Sequence, residues 1–209
     1  VDYKAKWAKY KAEYDAGKNP SAPKQDHKLD TLVGVLDGEI TIQNHCYRAD
    51  EMVDMINMSK EFGYHQTAFH HGIDSYKIAD ILAENDTCAA VWADWWGFKQ
   101  EAQDGIDENA AMITAAGGCA VIKSDSNDGI QRLYIETAKA WADGRKVGID
   151  ISKGDAIKWI TYNAAKMIGV ADKTGSLEVG KMADVVLWSG DPFRVYTLAN
   201  LVFIDGAEL

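Results

Sequence analysis

At 209 residues, 47% of them hydrophobic and 26% charged, the chain has the balance of a globular protein and too much apolar side chain for a disordered one. A formal net charge of −10 repels phosphate backbones and makes nucleic acid an unfavourable partner, and no apolar run approaches the roughly 18–20 residues of a membrane span. Three cysteines, Cys46, Cys88 and Cys119, are odd in number and far apart, a pattern that predicts neither a disulfide framework nor a cysteine-based zinc knuckle.

The opening Val1-Asp2-Tyr3-Lys4 is neither an initiator Met nor a signal peptide, and reads as the interior of a longer protein, so the compartment stays open. Tyr3 to Ala16, free of Gly and Pro, reads as a helix that Pro20 and Pro23 then break. Alternation follows. Short apolar strands are predicted at Glu39–His45, Tyr64–His71, Cys88–Ala93 and Cys119–Asp125. Helices are predicted at about Ala49–Phe62, Ser75–Glu84, Asp107–Ala116, Ile130–Ala142 and Ser152–Ile168. Strands alternating with helices imply right-handed βαβ units and a parallel sheet, repeating at roughly the 30 residues per unit of a (β/α)8 barrel. Four units are visible where a closed barrel has eight. Beyond Gly175 no helix separates the apolar Val185–Trp188 from Leu201–Ile204, which runs into an Asp205-Gly206 hairpin turn; the two read as part of a small antiparallel sheet. The expected fold is therefore α/β: residues 1–28 a helix and linker, 29–172 the C-terminal half of a TIM-type barrel, and 173–209 strands of a β-sandwich.

In a parallel barrel the C-terminal strand ends converge on one face, which holds the active site. Three of the four apolar strands end in polar residues there, at His45, at His70-His71 and at Asp125. A lone histidine at a loop start is ordinarily structural, but two histidines and an aspartate at equivalent strand ends suit a divalent metal such as zinc. Asp125 also sits in a turn-like Ser124-Asp125-Ser126-Asn127-Asp128 cluster, where a cap or turn role is the bland alternative. Of the adjacent pair, a strand's period of two allows one to face the site; His71, directly before Gly72, is preferred to His70. His27 and His65 lie outside this pattern and read as solvated or structural. Trp95, Trp96 and Lys99 follow the third strand where a substrate loop belongs, and could pack a small organic molecule and hold its carboxylate. Packing of that loop onto the barrel rim is the equal alternative. Arg48, Tyr76 and Lys77 are weaker substrate candidates near the same rim.

From about Leu29 to Leu209 the chain resembles the amidohydrolase superfamily, in particular its imidazolonepropionase- and prolidase-like branch. The resemblance is carried by Gly175-Ser176-Leu177-Glu178-Val179-Gly180-Lys181-Met182-Ala183-Asp184 and by Thr161-Tyr162-Asn163-Ala164-Ala165-Lys166-Met167-Ile168-Gly169, with Ala164 where that family usually has proline. It implies that His45 and His71 are the fifth- and sixth-strand ligands of one or two divalent metal ions, such as zinc, and that Asp125 is the eighth-strand carboxylate. Asp125 would then take a proton from a metal-activated water and pass it to a leaving amine. The His-x-His pair of that family's first strand, and its fourth-strand Lys or Glu, are absent from the sequence. The expectation is thus a hydrolase of amide or cyclic amide bonds that is incomplete in this chain, acting on a small-molecule or peptide-like substrate. An unclosed half-barrel exposes strand edges, so it is expected to pair with an N-terminal half or another copy. The competing expectations are an inert binding or assembly module, and a small α/β protein that binds metal without catalysis.

Overall fold

A computed structural model of the chain describes residues 2–209 and contains two sheets. Helix α1 (Asp2–Asp15) is followed by α2 (His27–Leu36), which the sequence reading missed and which crosses the expected boundary at residue 28. Its signal is local: the Asp26 carboxylate accepts hydrogen bonds from the Lys28 and Leu29 N–H groups, satisfying donors that a helix start leaves open.

The first sheet is parallel, with β1 (Gln43–His45), β2 (Ala68–His70), β3 (Cys88–Val91) and β4 (Cys119–Ile122) lying side by side in sequence order. Each strand stands where predicted but is shorter. His71 and Asp125 therefore lie beyond the strand ends, in the loops, and the Glu39 and Tyr64 starts were placed too early. The crossovers are α3 (Ala49–Phe62), α4 (Ala79–Glu84) after a 3-10 turn at Ser75–Ile78, and α5 (Asn109–Ala115); α6 (Leu133–Lys146) follows β4. A strand's period of two sends Phe69, Ala89, Val91, Ala120 and Ile122 to one face, against Met52 and Ile56 of α3, Leu82 of α4, Ile113 of α5 and Ala140 of α6. The other face carries Ala68, Cys88, Ala90, Cys119 and Val121, covered by Met167. Burial on both faces explains why β3 and β4 read as unbroken apolar runs.

Two expectations fail here. Cys88 and Cys119 form a disulfide, with sulfurs 2.06 Å apart. The two cysteines are 31 positions apart, one βα unit, and the sheet register pairs the two positions directly, so distance along the chain was the wrong measure. Cys46 is the free thiol, and it is buried. The single helix expected over Ser152–Ile168 is instead α7 (Lys153–Ile157), a 3-10 turn at Lys158–Ile160 and α8 (Tyr162–Met167). The break lets the fully buried Trp159 donate to Thr114 Oγ1 at 2.8 Å, and Asn163 cap the Ala120 carbonyl at 2.8 Å.

The second sheet is antiparallel: β5 (Val185–Trp188), β6 (Ala199–Ile204) and β7 (Ala207–Glu208), the last two joined through Asp205-Gly206, both at positive φ as a type I′ hairpin turn demands. The Gly175–Asp184 motif ties this sheet to α8. Gly175 has φ +90°, and a Cβ there would meet Ala165 Cβ at 2.6 Å, so only glycine fits. Lys181 Nζ donates to Ala171 O and Ser176 Oγ, each at 2.6 Å, and the Asp184 carboxylate accepts from Thr174 Oγ1 and from the Asp205 N–H. These roles are structural. Among the described residues no helix is long and apolar enough to cross a membrane.

Candidate metal centre

Because all four strands of the first sheet are parallel, their C-terminal ends share one edge. His45 ends β1, opposite His70 in register. His71 and Asp125 then turn through the left-handed region, with φ of 60° and 52°; of the described residues only Asp86 and Asp205 are other non-glycines with positive φ. Histidine and aspartate tolerate this conformation better than most residues, yet it remains strained and persists where neighbours hold it.

The turn at His71 swings its ring over the edge. Its centroid lies 4.2 Å from that of His45, and its Nδ1 lies 3.8 Å from Asp125 Oδ2. The three residues gather at one mouth. A fourth group stands among them: Lys123 Nζ donates to His71 Nδ1 at 2.5 Å, lies 3.6 Å from Asp125 Oδ2, and sits 3.8 Å from the centre of the Trp92 ring. The ammonium, rather than the carboxylate, is in contact with Nδ1, and among the described residues no three His, Cys, Asp or Glu side chains are disposed as they stand to hold a metal ion.

Burial drives the His71 pKa down to about 4, helped by the charges of Lys123 and His45 and opposed by Asp125. Burial also lowers Lys123, to about 8, against the pull of Asp125. At neutral pH the imidazole is then neutral, the form that offers a lone pair to a metal, and the donor types of His45, His71 and Asp125 suit a divalent ion. His70 is not turned away as the strand alternation argument supposed. It faces the same side as His45, its ring centroid 6.4 Å from that of His71, and its pKa is lowered by burial and then by Lys123. Its Nε2 is held by Gln43 Oε1 at 2.8 Å.

Aromatic rings wall the mouth. Tyr47 stacks on His71 at 5.7 Å, Trp92 lies 5.0 Å from it, and Trp95 stacks on Trp92 at 5.4 Å. Lys99 Nζ stands 4.5 Å from the Tyr47 ring centre, and its pKa is raised by a hydrogen bond to Tyr47. Trp95 and Lys99 thus join the site. The others do not. Arg48 is exposed and paired with Asp50 at 2.6 Å, on the first turn of α3. Tyr76 and Lys77 bind Asp104, through its carbonyl at 3.1 Å and its carboxylate at 2.7 Å, fastening the 3-10 turn to the loop after β3. Trp96 points outward and donates to Gln103 O at 2.7 Å. Sequence reasoning missed Tyr47, Trp92 and Lys123. Tyr47 is two residues after His45 and Lys123 two before Asp125, so a period of two counted from the strand-end candidates points to them.

The family model of amidohydrolases matches residues 101–208, more than half of the chain. The chain belongs to the amidohydrolase family. It is 26% identical over 205 residues to the amidohydrolase tasK of Hapsidospora irregularis, covering 96% of this chain and 20% of that protein. It is also 34% identical over 128 residues to the imidazolonepropionase of Shewanella baltica, covering 61% of this chain and 29% of the relative. Among solved structures, an amidohydrolase from Thermotoga maritima superposes on the whole chain with a TM-score of 0.76 and 30% identity, the match taking up 54% of that protein. An adenosine deaminase from Xanthomonas campestris, solved with bound zinc, shares the fold at a TM-score of 0.64 and 16% identity, over 88% of this chain and 48% of its own. This amidohydrolase chain thus spans about half the length of these solved relatives, and less of the curated ones.

Proposed function

We propose that this chain is the C-terminal part of a metal-dependent hydrolase that cleaves a C–N bond in an amide or cyclic amide. Its four parallel strands would form half of a (β/α)8 barrel and its antiparallel strands part of a β-sandwich. The observation that carries the reading is the gathering of His45, His71 and Asp125 at one strand-end mouth, two of them held in strained left-handed backbone. A divalent ion such as zinc, held there by the two imidazoles and the carboxylate, would supply an acidified water and a polarised carbonyl. Asp125, with its side chain 56% exposed, is open to solvent and can carry a proton between that water and the leaving amine. Tyr47, Trp92 and Trp95 offer a flat apolar wall for a small or peptide-like substrate, and Lys99 a positive charge for a carboxylate. The length of the relatives, and the exposed Leu177, Val179, Leu187 and Leu201 around the second sheet, support pairing with an N-terminal half or a second copy.

The test is hydrolysis of a panel of amides and cyclic amides by the protein carrying this chain, with zinc supplied. Asp125→Asn is expected to lower kcat by roughly 10²–10⁴-fold, the usual worth of a general base. An Asp125→Asn protein with wild-type kcat would overturn the assignment. The contact between Lys123 and His71 favours a second reading, an inert metal-binding or assembly module; zinc binding with no hydrolysis of any C–N substrate would establish it.

A further inference from the structure

We propose that Lys123 is an internal cation that competes with a metal ion for His71, so that the mouth takes up metal only when the Lys123 ammonium withdraws. The inference rests on the metal-binding reading above. Lys123 continues β4 and stands two residues before Asp125, with its side chain only 14% exposed. Its three partners are each ones that a positive charge selects: the Nδ1 lone pair of His71 at 2.5 Å, the Asp125 carboxylate at 3.6 Å, and the face of the Trp92 ring at 3.8 Å. A divalent ion held by His71 Nδ1 and Asp125 needs that same lone pair and that same carboxylate. Two cations cannot occupy one place, and a like charge beside the ion repels it. The face of the Trp92 ring holds the same ammonium from the other side. Trp92 is itself fixed, its Nε1 donating to Ser124 O at 3.2 Å.

The experiment is calorimetric titration of the dialysed protein carrying this chain with Zn²⁺ at one fixed pH. Lys123→Met keeps the aliphatic stem and removes the charge. It is expected to bind zinc about tenfold or more tightly than the wild type, the effect of sparing the ion one charge-assisted hydrogen bond that must otherwise break. Lys123→Gln, a second neutral variant should the first not fold, carries the same expectation. Lys123→Arg keeps the charge and is expected to gain nothing, and adding His71→Ala to Lys123→Met is expected to abolish the gain. Equal affinity in the wild type and the neutral variants would overturn the competition and leave the metal reading standing. Weaker binding in the neutral variants would also overturn it, making Lys123 a residue that positions the ligands. Binding by none of them would overturn both readings.

Discussion

An alanine at position 72 would place its Cβ 2.1 Å from Ser75 Oγ, 3.3 Å from Ser75 Cβ and 3.6 Å from Ala89 Cβ. Ser75 has no exposed surface, and its hydroxyl donates to Met52 Sδ at 3.7 Å, so the oxygen must leave that contact and its carbon must still yield a few tenths of an ångström. Overpacking of this kind costs about 1–3 kcal/mol. The Gly72 N–H donates to Ala90 O at 3.2 Å directly after His71, so the push is delivered to the segment that carries the candidate ligand. Urea unfolding followed by circular dichroism measures the loss. Ser75→Ala alone gives up one weak O–H···S contact, expected to cost about 0.5–1 kcal/mol. With the Ser75 oxygen gone, Gly72→Ala meets only the carbon, so the double variant is expected to be more stable than additivity predicts by roughly 1 kcal/mol, as for residues in contact. A Gly72→Ala chain as stable as the wild type, or a strictly additive pair, would refute the packing argument.

Thiol labelling tests the cysteines: the native chain is expected to leave Cys46 unreacted, because it is buried and its thiol is pushed up to about 11 by that burial. Unfolding without reductant then exposes one thiol and unfolding with reductant three, by mass; three without reductant would disprove the bond. In the metal-free chain, the His71 pKa of about 4 lies below its ordinary 6.5, so the unfolded chain takes up this proton first as pH falls. The His71 contribution is whole above about pH 6.5 and is lost toward pH 4; His71→Asn is expected to flatten the decline of the urea midpoint across that window, and an unchanged slope in the variant contradicts the assignment.

The βα rhythm was legible because the sheet is buried on both faces, which leaves Cys88–Val91 and Cys119–Ile122 as unbroken apolar runs between amphipathic helices. Features set by local capping were legible too, but one was overlooked: Asp26 announces α2 as plainly as any residue in the chain. What lay beyond a one-dimensional reading depends on register and on side-chain anchoring. Trp159 interrupts a helical pattern in order to reach Thr114, 45 residues away, and Cys88 meets Cys119 through sheet pairing. At the mouth, alternation was used to choose His71 over His70, whereas the sheet register sets His70 beside His45 and only the left-handed turn at His71 brings the next ring in as well. Alternation applied backward from Asp125 leads to Lys123, a position the sequence reading did not weigh.

Trp92 and Lys123 each lie four residues beyond the cysteines that join β3 to β4. Two neighbouring rods pinned at their feet cannot slide past one another, so their tips stay level. The covalent bond at the far pole thereby sets the height at which the ammonium rests on the indole, and a slip of even one residue would carry Lys123 out of the mouth and onto the helix-covered side of the sheet.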